Sequence, residues 1–467
     1  MPESKPAWLF LERLIFYGLL VVTALAAIPY GTVEPWWIAV FECAVLSLGA
    51  VWFLTGIFKS DWRFVPNALL WPIIALLLFI ILQTINFGGS RDAASLKGAL
   101  TGTISADPYG TRLLVVKLLA LTLSFIMLRA YATSHRRLRA LIYVVVGTAV
   151  VSALFGILRQ TTQHNSTGFF LPHLMPNSGY GQFINRNHFA FLMEMAFGLL
   201  LGLLMSGVTR ERVLLYLSFL MPVWFALVLS NSRGGIFSML CQLFFAALMF
   251  TFLRVPQTNS AGGGEGGGWL LKIKRSPVVR VLLIACLVIG VSIGVVWIGG
   301  DQLASRIEMG QGESVEKIES RQGESRSEVW RATWALVRDN PLAGVGFGGY
   351  WAVIPRYHDA SGELTPQEAH NDYLEILASG GLIGAALCAW LVVALLLEAR
   401  KQLRSTDNFR RAVCFGSLVG LFGVAVHSLF DFGLHITANS LVFIMLTVLA
   451  TAEVREQARK KCGKEAA

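Results

Sequence analysis

The sequence has little charge for its length. Only 15% of its 467 residues are Asp, Glu, Lys or Arg, whereas an ordinary soluble domain contains about 25%. The mean hydropathy is +0.59 and 55% of the residues are hydrophobic, which suffices for about twelve membrane spans of roughly 20 residues each. This composition excludes a disordered chain, and it excludes a soluble enzyme with a single membrane anchor.

Cysteine is also scarce. The six cysteines show no metal-type spacing, and most of them lie in apolar runs: Cys43, Cys241, Cys286, Cys388, Cys414 and Cys462. The sequence therefore indicates neither a disulfide framework nor a zinc site.

Apolar runs of membrane-spanning length are abundant. Twelve of them lie near residues 14–31, 36–57, 66–86, 113–131, 140–158, 187–207, 213–230, 234–253, 280–299, 381–398, 411–430 and 436–452. The first run contains Ala24-Leu25-Ala26, which resembles a signal-peptide cleavage site, but the run is too long for a signal sequence and eleven more follow. The sequence thus predicts an all-α, polytopic membrane protein with about 12 transmembrane helices.

Basic residues are distributed unevenly between the connecting loops. Lys and Arg concentrate in every second loop, for example at Arg136, Arg137 and Arg139, and again in the C-terminal tail. Because cytoplasmic loops collect Lys and Arg, this alternation predicts that both termini are cytoplasmic. The net charge of +10 is therefore interpreted as a topology signal, and nucleic-acid binding is not predicted.

The order of the spans divides the chain into five segments. Residues 1–180 hold spans one to five with an outer loop, residues 181–299 hold spans six to nine, and residues 300–380 form one long outer loop. Residues 381–452 hold spans ten to twelve, and residues 453–467 form a basic cytoplasmic tail. The outer loop carries thirteen acidic and seven basic residues and is far longer than a connection requires, which points to a functional role.

A capping-box pattern in the outer loop predicts a helix that begins at Arg326. Ser325 and Glu328 have the spacing of the box, and apolar residues at helical spacing follow: Val329, Trp330, Thr333, Trp334 and Val337. We expect this helix to lie along the outer membrane surface and to end at Asp339-Asn340-Pro341. A cation at its first position opposes the helix dipole. Arg326 is therefore either a solvated surface residue or the partner of an anion.

A glycine-rich run at residues 344–349 formally matches the dinucleotide-binding pattern G-x-G-x-x-G. That interpretation requires a preceding strand and a following helix on the side of the membrane where nucleotides occur. Here a predicted helix precedes the run and the loop is external. A close-packed turn is the favoured interpretation.

A second capping box, Thr365 to Glu368, predicts another helix that runs through His370. In that helix His370 shares a face with Tyr373, and the helix N-terminus keeps the imidazole neutral and able to accept a proton. Glu368, His370 and Asp372 are an alternative set of metal ligands, but residues two apart on a helix point to different faces. No metal is predicted.

Three polar clusters lie at the outer ends of other spans. They are Asn185 to His188, Ser230 to Gly235, and His427 to Asp431 with His435 close behind. Arg and His at membrane depth usually face a partner or a water-filled cavity. Reaching toward lipid headgroups is the alternative for Arg186 and Arg233.

From about Gly181 to the last span, the sequence resembles the O-antigen ligase and O-antigen polymerase family of bacterial envelope glycosyltransferases. The resemblance rests on NRNHFA at 185–190, SNSRGG at 230–235, SR-x-x-x-W from Ser325 to Trp330, NPLAGVGFG at 340–348 and HNDYLEILASGGLIG at 370–384. The first five spans carry little of this signature.

The resemblance implies a type-C-glycosyltransferase-like fold with a long helical periplasmic loop in the bacterial inner (plasma) membrane. The donor would be an undecaprenyl-diphosphate-linked glycan, transferred with inversion and without a metal, a nucleotide or another cofactor. The family's functional histidine corresponds to His370 and its functional arginines to Arg233 and Arg326. Arg186 is a weaker third candidate for binding the diphosphate.

Further residues are predicted to assist. Supporting roles are assigned to Glu368, Asp372, His427 and His435. Sugar contacts are assigned to Trp330, Tyr350, Trp351 and Tyr357, although aromatic residues at a membrane interface more often act as anchors.

The acceptor distinguishes the alternatives within the family. A glycan acceptor would make the chain a polymerase of O-antigen or exopolysaccharide, and a lipid A-core acceptor would make it an O-antigen ligase of lipopolysaccharide biosynthesis. The HNDYLE form and the basic tail favour a polymerase by analogy. Protein O-oligosaccharyltransferase activity is a third choice. From another class, a 12-span secondary transporter is disfavoured because the long outer loop has no counterpart in the first half.

Overall fold

The computed structural model describes residues 6–59, 67–86, 102–162, 171, 174, 179–204, 210–252, 326–358 and 366–454. Within these ranges the chain forms thirteen α-helices and no strand. They are α1 (Pro6–Ala26), α2 (Pro35–Lys59), α3 (Leu70–Gln83), α4 (Pro108–Tyr131), α5 (His135–Thr162), α6 (Arg186–Leu204), α7 (Arg210–Leu229), α8 (Arg233–Phe252), α9 (Arg326–Asp339), α10 (Tyr350–Val353), α11 (Asp372–Leu403), α12 (Asn408–His427) and α13 (Thr437–Thr451).

The helices confirm a polytopic all-α membrane protein. Eight of them are long and apolar enough to cross a membrane, and α3, α8 and α13 are shorter apolar helices. These eleven helices coincide with eleven of the twelve predicted spans. The span predicted at residues 280–299 lies outside the described residues.

Helices α6 and α12 pack together at the centre of the bundle through small residues. A Cβ atom added to Gly198 of α6 would lie 2.3 Å from the backbone nitrogen of Gly420 in α12, and one added to Gly202 would lie 2.2 Å from Gly416 Cα. Glycines four residues apart on both helices thus allow the two backbones to touch, as is common in membrane helix pairs. This contact places the start of α6 beside the end of α12.

Hydrogen bonds between buried polar groups connect a third helix, α8, to α6 and α12. Glu194 of α6 and His427 of α12 are both fully buried, and His427 Nδ1 lies 2.7 Å from Glu194 Oε1. Gln242 of α8 donates from Nε2 to the backbone oxygens of Glu194 and Val419, at 3.0 and 3.1 Å. Hydrogen bonds between apolar spans hold these helices in a fixed register.

Helix α9 confirms the helix predicted in the outer loop, with both ends as expected. It begins at Arg326 and ends at Asp339. Its buried residues Leu336 and Val337 belong to an apolar cluster with Val345 and Ile354. Protein contacts therefore hold α9 in place.

The glycine-rich run forms the close-packed turn favoured from the sequence. Gly344, Gly346 and Gly348 have positive φ values of 65°, 93° and 83°, which glycine adopts without strain. Gln83 at the end of α3 makes two hydrogen bonds to this turn. Its Nε2 donates to Ala343 O at 2.8 Å, and its Oε1 accepts from Phe347 N at 3.1 Å. The long loop is thereby tied to the membrane helices.

The helix predicted to be capped by Thr365 begins six residues later, so this prediction is wrong. Asn371 is the N-cap, and its side chain accepts hydrogen bonds from Tyr373 N and Leu374 N at 3.0 and 3.1 Å. His370 precedes the cap and has a φ of +50°, so it lies outside α11 and does not share a helical face with Tyr373. Helix α11 is interrupted at Gly381, which has non-helical dihedrals.

Candidate active site

Asp431 is the centre of the polar groups that follow the end of α12. Its side chain is fully buried. One oxygen, Oδ1, accepts a hydrogen bond from Phe432 N at 2.9 Å and lies 3.5 Å from His370 Nδ1. The other oxygen, Oδ2, accepts a hydrogen bond from Asn187 Nδ2 and lies 3.7 Å from Arg326 Nη2.

The surroundings keep Asp431 ionised. Burial alone would raise the pKa of this carboxyl group, but the contact with His370 and the positive charge of Arg326 hold the pKa well below its usual range. His188 Nε2 lies 4.0 Å from the same Oδ1 that faces His370. The carboxylate of Asp431 therefore lies between His370, the candidate base, and Arg326, a residue predicted to bind the diphosphate.

His370 owes its position to the start of α11. Its backbone is left-handed, and the next residue caps the helix. Asp372 N donates to Ser428 O at 2.9 Å, and Ser428 Oγ donates to Asp372 Oδ2 at 2.6 Å. These two bonds join the start of α11 to the end of α12. The ring of His370 packs edge-on against Phe432, with 5.0 Å between centroids. The position inside a helix that was expected for His370 is therefore not observed.

Arg326 has the anionic partner that its position at a helix start suggested. The guanidinium of this first residue of α9 lies against Asp431 Oδ2, and 22% of its side chain remains exposed. The alternative of a fully solvated surface arginine is wrong. The exposed remainder of the guanidinium is available to a second anion.

Arg186 and Arg233 are both exposed, and each is the first residue of a helix, α6 and α8 respectively. Asn185 caps α6 by accepting from Asn187 N at 2.8 Å. Ser232 caps α8 by accepting from Gly235 N at 3.1 Å. Ser232 Oγ also donates to Asn187 Oδ1 at 2.8 Å, so the starts of α6 and α8 are directly connected.

The three candidate arginines thus begin three helices whose N-termini are linked by one chain of polar contacts. The chain runs from Ser232 through Asn187 to Asp431 and then to Arg326. A helix N-terminus carries partial positive charge and free amides, and it binds phosphate readily. Three such termini with arginines are suited to an anionic, phosphate-bearing ligand.

His435 forms a second polar cluster beside the first. Its Nδ1 lies 3.2 Å from Glu368, and its Nε2 lies 3.6 Å from Glu375 and 3.7 Å from Asp372. Burial would lower its pKa, but the carboxylates raise it to about 10. For Glu368, burial favours a higher pKa, whereas His435 and Glu375 lower it to about 2. His435 is therefore an imidazolium that neutralises part of this acidic cluster.

The same cluster has the spacing of a cation site. Ligand atoms of Glu368, Glu375 and His435 lie within 4.8 Å of one another. A metal ion would need a neutral imidazole, whereas His435 has a raised pKa and both of its ring nitrogens face carboxylates. A metal ion bound here would have to displace the proton of His435 and its contacts with Glu368 and Glu375.

His427, predicted to support the site, lies inside the bundle. Its ring stacks on Phe191 with 4.1 Å between centroids, and its Nδ1 contacts Glu194. Its backbone oxygen accepts from Phe430 N and Asp431 N at 2.8 and 3.1 Å. His427 therefore reaches the site only through the backbone of the segment that carries Asp431.

The four aromatic residues predicted to contact sugars have different surroundings. Tyr350 is buried, and its hydroxyl is 2.7 Å from Thr333 Oγ1, so it packs inside the loop and offers no surface to a sugar. Trp330 packs against an apolar cluster of α8 and α12. Trp351 is exposed and donates to Asp107, and the Tyr357 hydroxyl donates to Asp339 at 2.7 Å.

Asp431, Asn187, His188 and Glu375 were not predicted as individual site residues. Asn187, His188 and Asp431 do belong to the polar clusters predicted at the ends of spans. The position of these clusters was therefore the signal in the sequence that pointed to them. Which member of a cluster contacts His370 depends on the packing of α6 against α12.

Residues 217–389 match a family model described as O-antigen ligase, and this segment includes Arg233, Arg326 and His370. The match supports the family suggested by the motifs. No curated protein matches the chain.

Proposed function

We propose that this chain, a member of the O-antigen ligase and O-antigen polymerase family, transfers a glycan from undecaprenyl diphosphate to a sugar acceptor. The transfer inverts the anomeric centre, needs no metal, and takes place at the periplasmic face of the bacterial inner membrane. Polymerisation of O-antigen or exopolysaccharide is the proposed activity, ahead of ligation to a lipid A core.

The observation that carries this proposal is the meeting of His370 and Arg326 at Asp431. His370 Nδ1 lies 3.5 Å from one oxygen of this buried carboxylate, and Arg326 Nη2 lies 3.7 Å from the other. A candidate base and a candidate phosphate ligand are thus held together, although 44 residues of chain separate them. Arg233 is connected to the same carboxylate through Ser232 and Asn187.

The arginines and the helix N-termini act on the leaving group. As the bond between the anomeric carbon and the phosphate oxygen breaks, negative charge grows on the departing diphosphate. Arg233 and Arg326 donate charge-assisted hydrogen bonds to it, and the starts of α8 and α9 add their dipoles. Donors fixed in advance stabilise this charge without reorganisation.

His370 acts on the acceptor. Because Nδ1 faces the anionic Asp431, it carries a proton, and Nε2 is the atom that accepts the proton of the attacking hydroxyl. The acceptor oxygen forms a bond to the anomeric carbon from the face opposite the diphosphate, which inverts the centre. Asp431 then stabilises the imidazolium that forms, as the carboxylate does in a Ser-His-Asp triad.

The absence of a metal requirement is part of the proposal. The guanidinium groups of Arg233 and Arg326 supply the positive charge that a divalent ion supplies in many phosphate-transfer enzymes. The neighbouring acidic cluster already contains the imidazolium of His435. Transfer is therefore expected to continue at an unchanged rate in excess EDTA.

The proposed orientation has a direct test. A reporter fused near residue 265 is expected in the cytoplasm, and one fused near residue 315 outside it. If both report the same side, the proposed periplasmic location of the site is wrong.

Incubation of the purified protein with a lipid-linked glycan and a candidate acceptor tests the activity. The expected result is release of undecaprenyl diphosphate together with a longer glycan. Arg326→Ala should abolish release, whereas Arg331→Ala on the exposed side of the same helix is the matched control and should not. Equal release by both variants would contradict the role of the Asp431 site.

The acceptor is tested in cells by the length of the surface polysaccharide. Loss of a polymerase leaves single repeat units, whereas loss of a ligase leaves long polymer on the lipid carrier. Single units would support the proposed polymerase, and stranded polymer would identify a ligase.

A further inference from the structure

The residues proposed to hold the diphosphate and the residue proposed to act as base come from different parts of the chain. Arg233 begins α8, whereas His370 and Arg326 meet at Asp431 beyond the end of α12. Transfer requires these groups in one geometry, and displacement of a reacting group by about 1 Å can cost about 10²-fold in rate. Some contact must therefore set the distance between the start of α8 and Asp431.

Asn187 makes such a contact, because the oxygen and the nitrogen of its side-chain amide bond to different partners. Its Oδ1 accepts from Ser232 Oγ at 2.8 Å, and its Nδ2 donates to Asp431 Oδ2. Ser232 is buried and immediately precedes Arg233. Its hydroxyl also accepts from Gly235 N at 3.1 Å, so the hydroxyl bonded to Asn187 is the one that caps α8.

The position of Asn187 is fixed by the helix that carries it. Asn187 lies in the first turn of α6. Helix α6 packs directly against α12 through Gly198 and Gly420. The side-chain amide of Asn187 is thus carried by a helix that packs closely against α12. It lies between Ser232 at the start of α8 and Asp431 after the end of α12.

We propose that Asn187 is a positioning residue for the transfer reaction. The Asn187 bridge (Ser232, Asn187 and Asp431) holds the Arg233 turn in register with the carboxylate that orients His370. This inference rests on the proposed function. Asn187 acts through Ser232 and Asp431, and it is not assigned a contact with substrate.

The chemistry of the bridge requires an amide. Asp at position 187 would keep the acceptor for Ser232 but would place a second carboxylate against Asp431, without a donor between them. Leu would occupy a similar volume with neither a donor nor an acceptor. Both substitutions break the bridge while leaving Arg233, Arg326 and His370 in the chain.

Two measurements on the full-length protein test the bridge. Hydrogen exchange is measured for peptides that cover residues 231–236 and 428–433, and the kcat of transfer and the KM for the lipid-linked donor are measured separately. The variants are Asn187→Leu, Asn187→Asp, Ser232→Ala and Ser232→Thr. Asn185→Ala is the matched control, because it removes a helix cap but no member of the bridge.

We expect Asn187→Leu to speed exchange in both peptides and to lower kcat by about 10- to 100-fold, while the donor KM changes less than about threefold. Ser232→Thr should restore most of the kcat lost in Ser232→Ala, because it returns the hydroxyl. The double variant Asn187→Leu/Ser232→Ala should be no slower than Asn187→Leu alone, since both changes break the same connection. Asn185→Ala should speed exchange only at the start of α6.

Three results would overturn the inference. The first is faster exchange confined to α6 in Asn187→Leu. The second is a kcat within threefold of wild type, and the third is a loss equal to that of Asn185→Ala. If the wild-type protein transfers no glycan, the proposed function fails on its own, and the exchange pattern still decides whether Asn187 couples α8 to Asp431.

Discussion

Replacement of Asp431 by Asn tests the centre of the site with almost no change in shape. The two carboxylate oxygens have different partners, since Oδ1 accepts from Phe432 N and Oδ2 accepts from Asn187 Nδ2. An amide has only one oxygen. In either orientation of the Asn side chain, its NH₂ group faces a donor, and the negative charge beside His370 and Arg326 is lost.

The size of the effect follows from the distances. Two unit charges about 4 Å apart interact by about 4 kcal/mol at an effective dielectric constant of about 20. The contact from Asp431 to Arg326 is 3.7 Å and that to His370 is 3.5 Å. Partial exposure of Arg326 reduces the value for that pair. A loss of about 3–4 kcal/mol from the transition state corresponds to about 10²–10³-fold in kcat.

The assay is the initial rate of carrier release at saturating donor, with thermal stability measured on the same samples. Asp407→Asn is the matched control. Asp407 caps α12 at its opposite end by accepting from Phe409 N and Arg410 N, and Asn is an equally good cap. We expect normal activity from the control. A kcat within threefold of wild type for a folded Asp431→Asn protein would refute the role assigned to this carboxylate.

Three further predictions concern the arginine, the helix packing and the acidic cluster. Arg233→Lys keeps the charge but loses the planar fork that binds phosphate in two places, so transfer should fall strongly at normal protein level; near wild-type transfer would make Arg233 a headgroup-binding residue. Gly198→Ala should lower the free energy of unfolding by about 1–3 kcal/mol because the added Cβ would meet Gly420. The control is Gly147→Ala, whose added Cβ would have no atom within 4 Å. Equal melting temperatures for the two variants would contradict the packing of α6 against α12. The pKa of His435 is raised from 6.5 to about 10. Its contribution to the free energy of unfolding is therefore fully present below about pH 6.5 and is lost as pH rises to about 10. If His435→Gln has the same dependence of stability on pH as the wild type, this assignment is contradicted.

The membrane helices could be predicted because their signal is local. A long apolar run is stable in the interior of a membrane, and it can be recognised from the run alone. Eleven such runs coincide with α1 to α8 and α11 to α13. The ends of α9 were also predictable, since Glu328 lies in its first turn and Pro341 follows its last.

The start of α11 was mispredicted because two capping signals compete. The box from Thr365 to Glu368 has the right spacing, but Asn371 caps both Tyr373 N and Leu374 N. Glu375 then reaches back to accept from Ala369 N at 3.1 Å. The later cap prevails because it also allows Asp372 to bond to Ser428 at the end of α12. That bond depends on tertiary packing, which the sequence pattern does not contain.

The candidate site was predicted in part for the same reason. His370, Arg233 and Arg326 belong to motifs and were named directly. Asp431 is a single acidic residue after a span, and its importance lies in contacts with residues more than 60 positions away in the chain. Such contacts follow from the packing of α6, α11 and α12, which periodicity does not specify.

The central claim is that His370 accepts the proton of the attacking hydroxyl while the arginines hold the donor. The most direct test is single-turnover carrier release by His370→Ala, with binding of the lipid-linked donor measured on the same protein. We predict donor binding like that of the wild type and a rate lower by about 10²–10⁴-fold. A His370→Ala protein that retains more than about a tenth of the wild-type rate would contradict the claim and reduce His370 to a positioning residue.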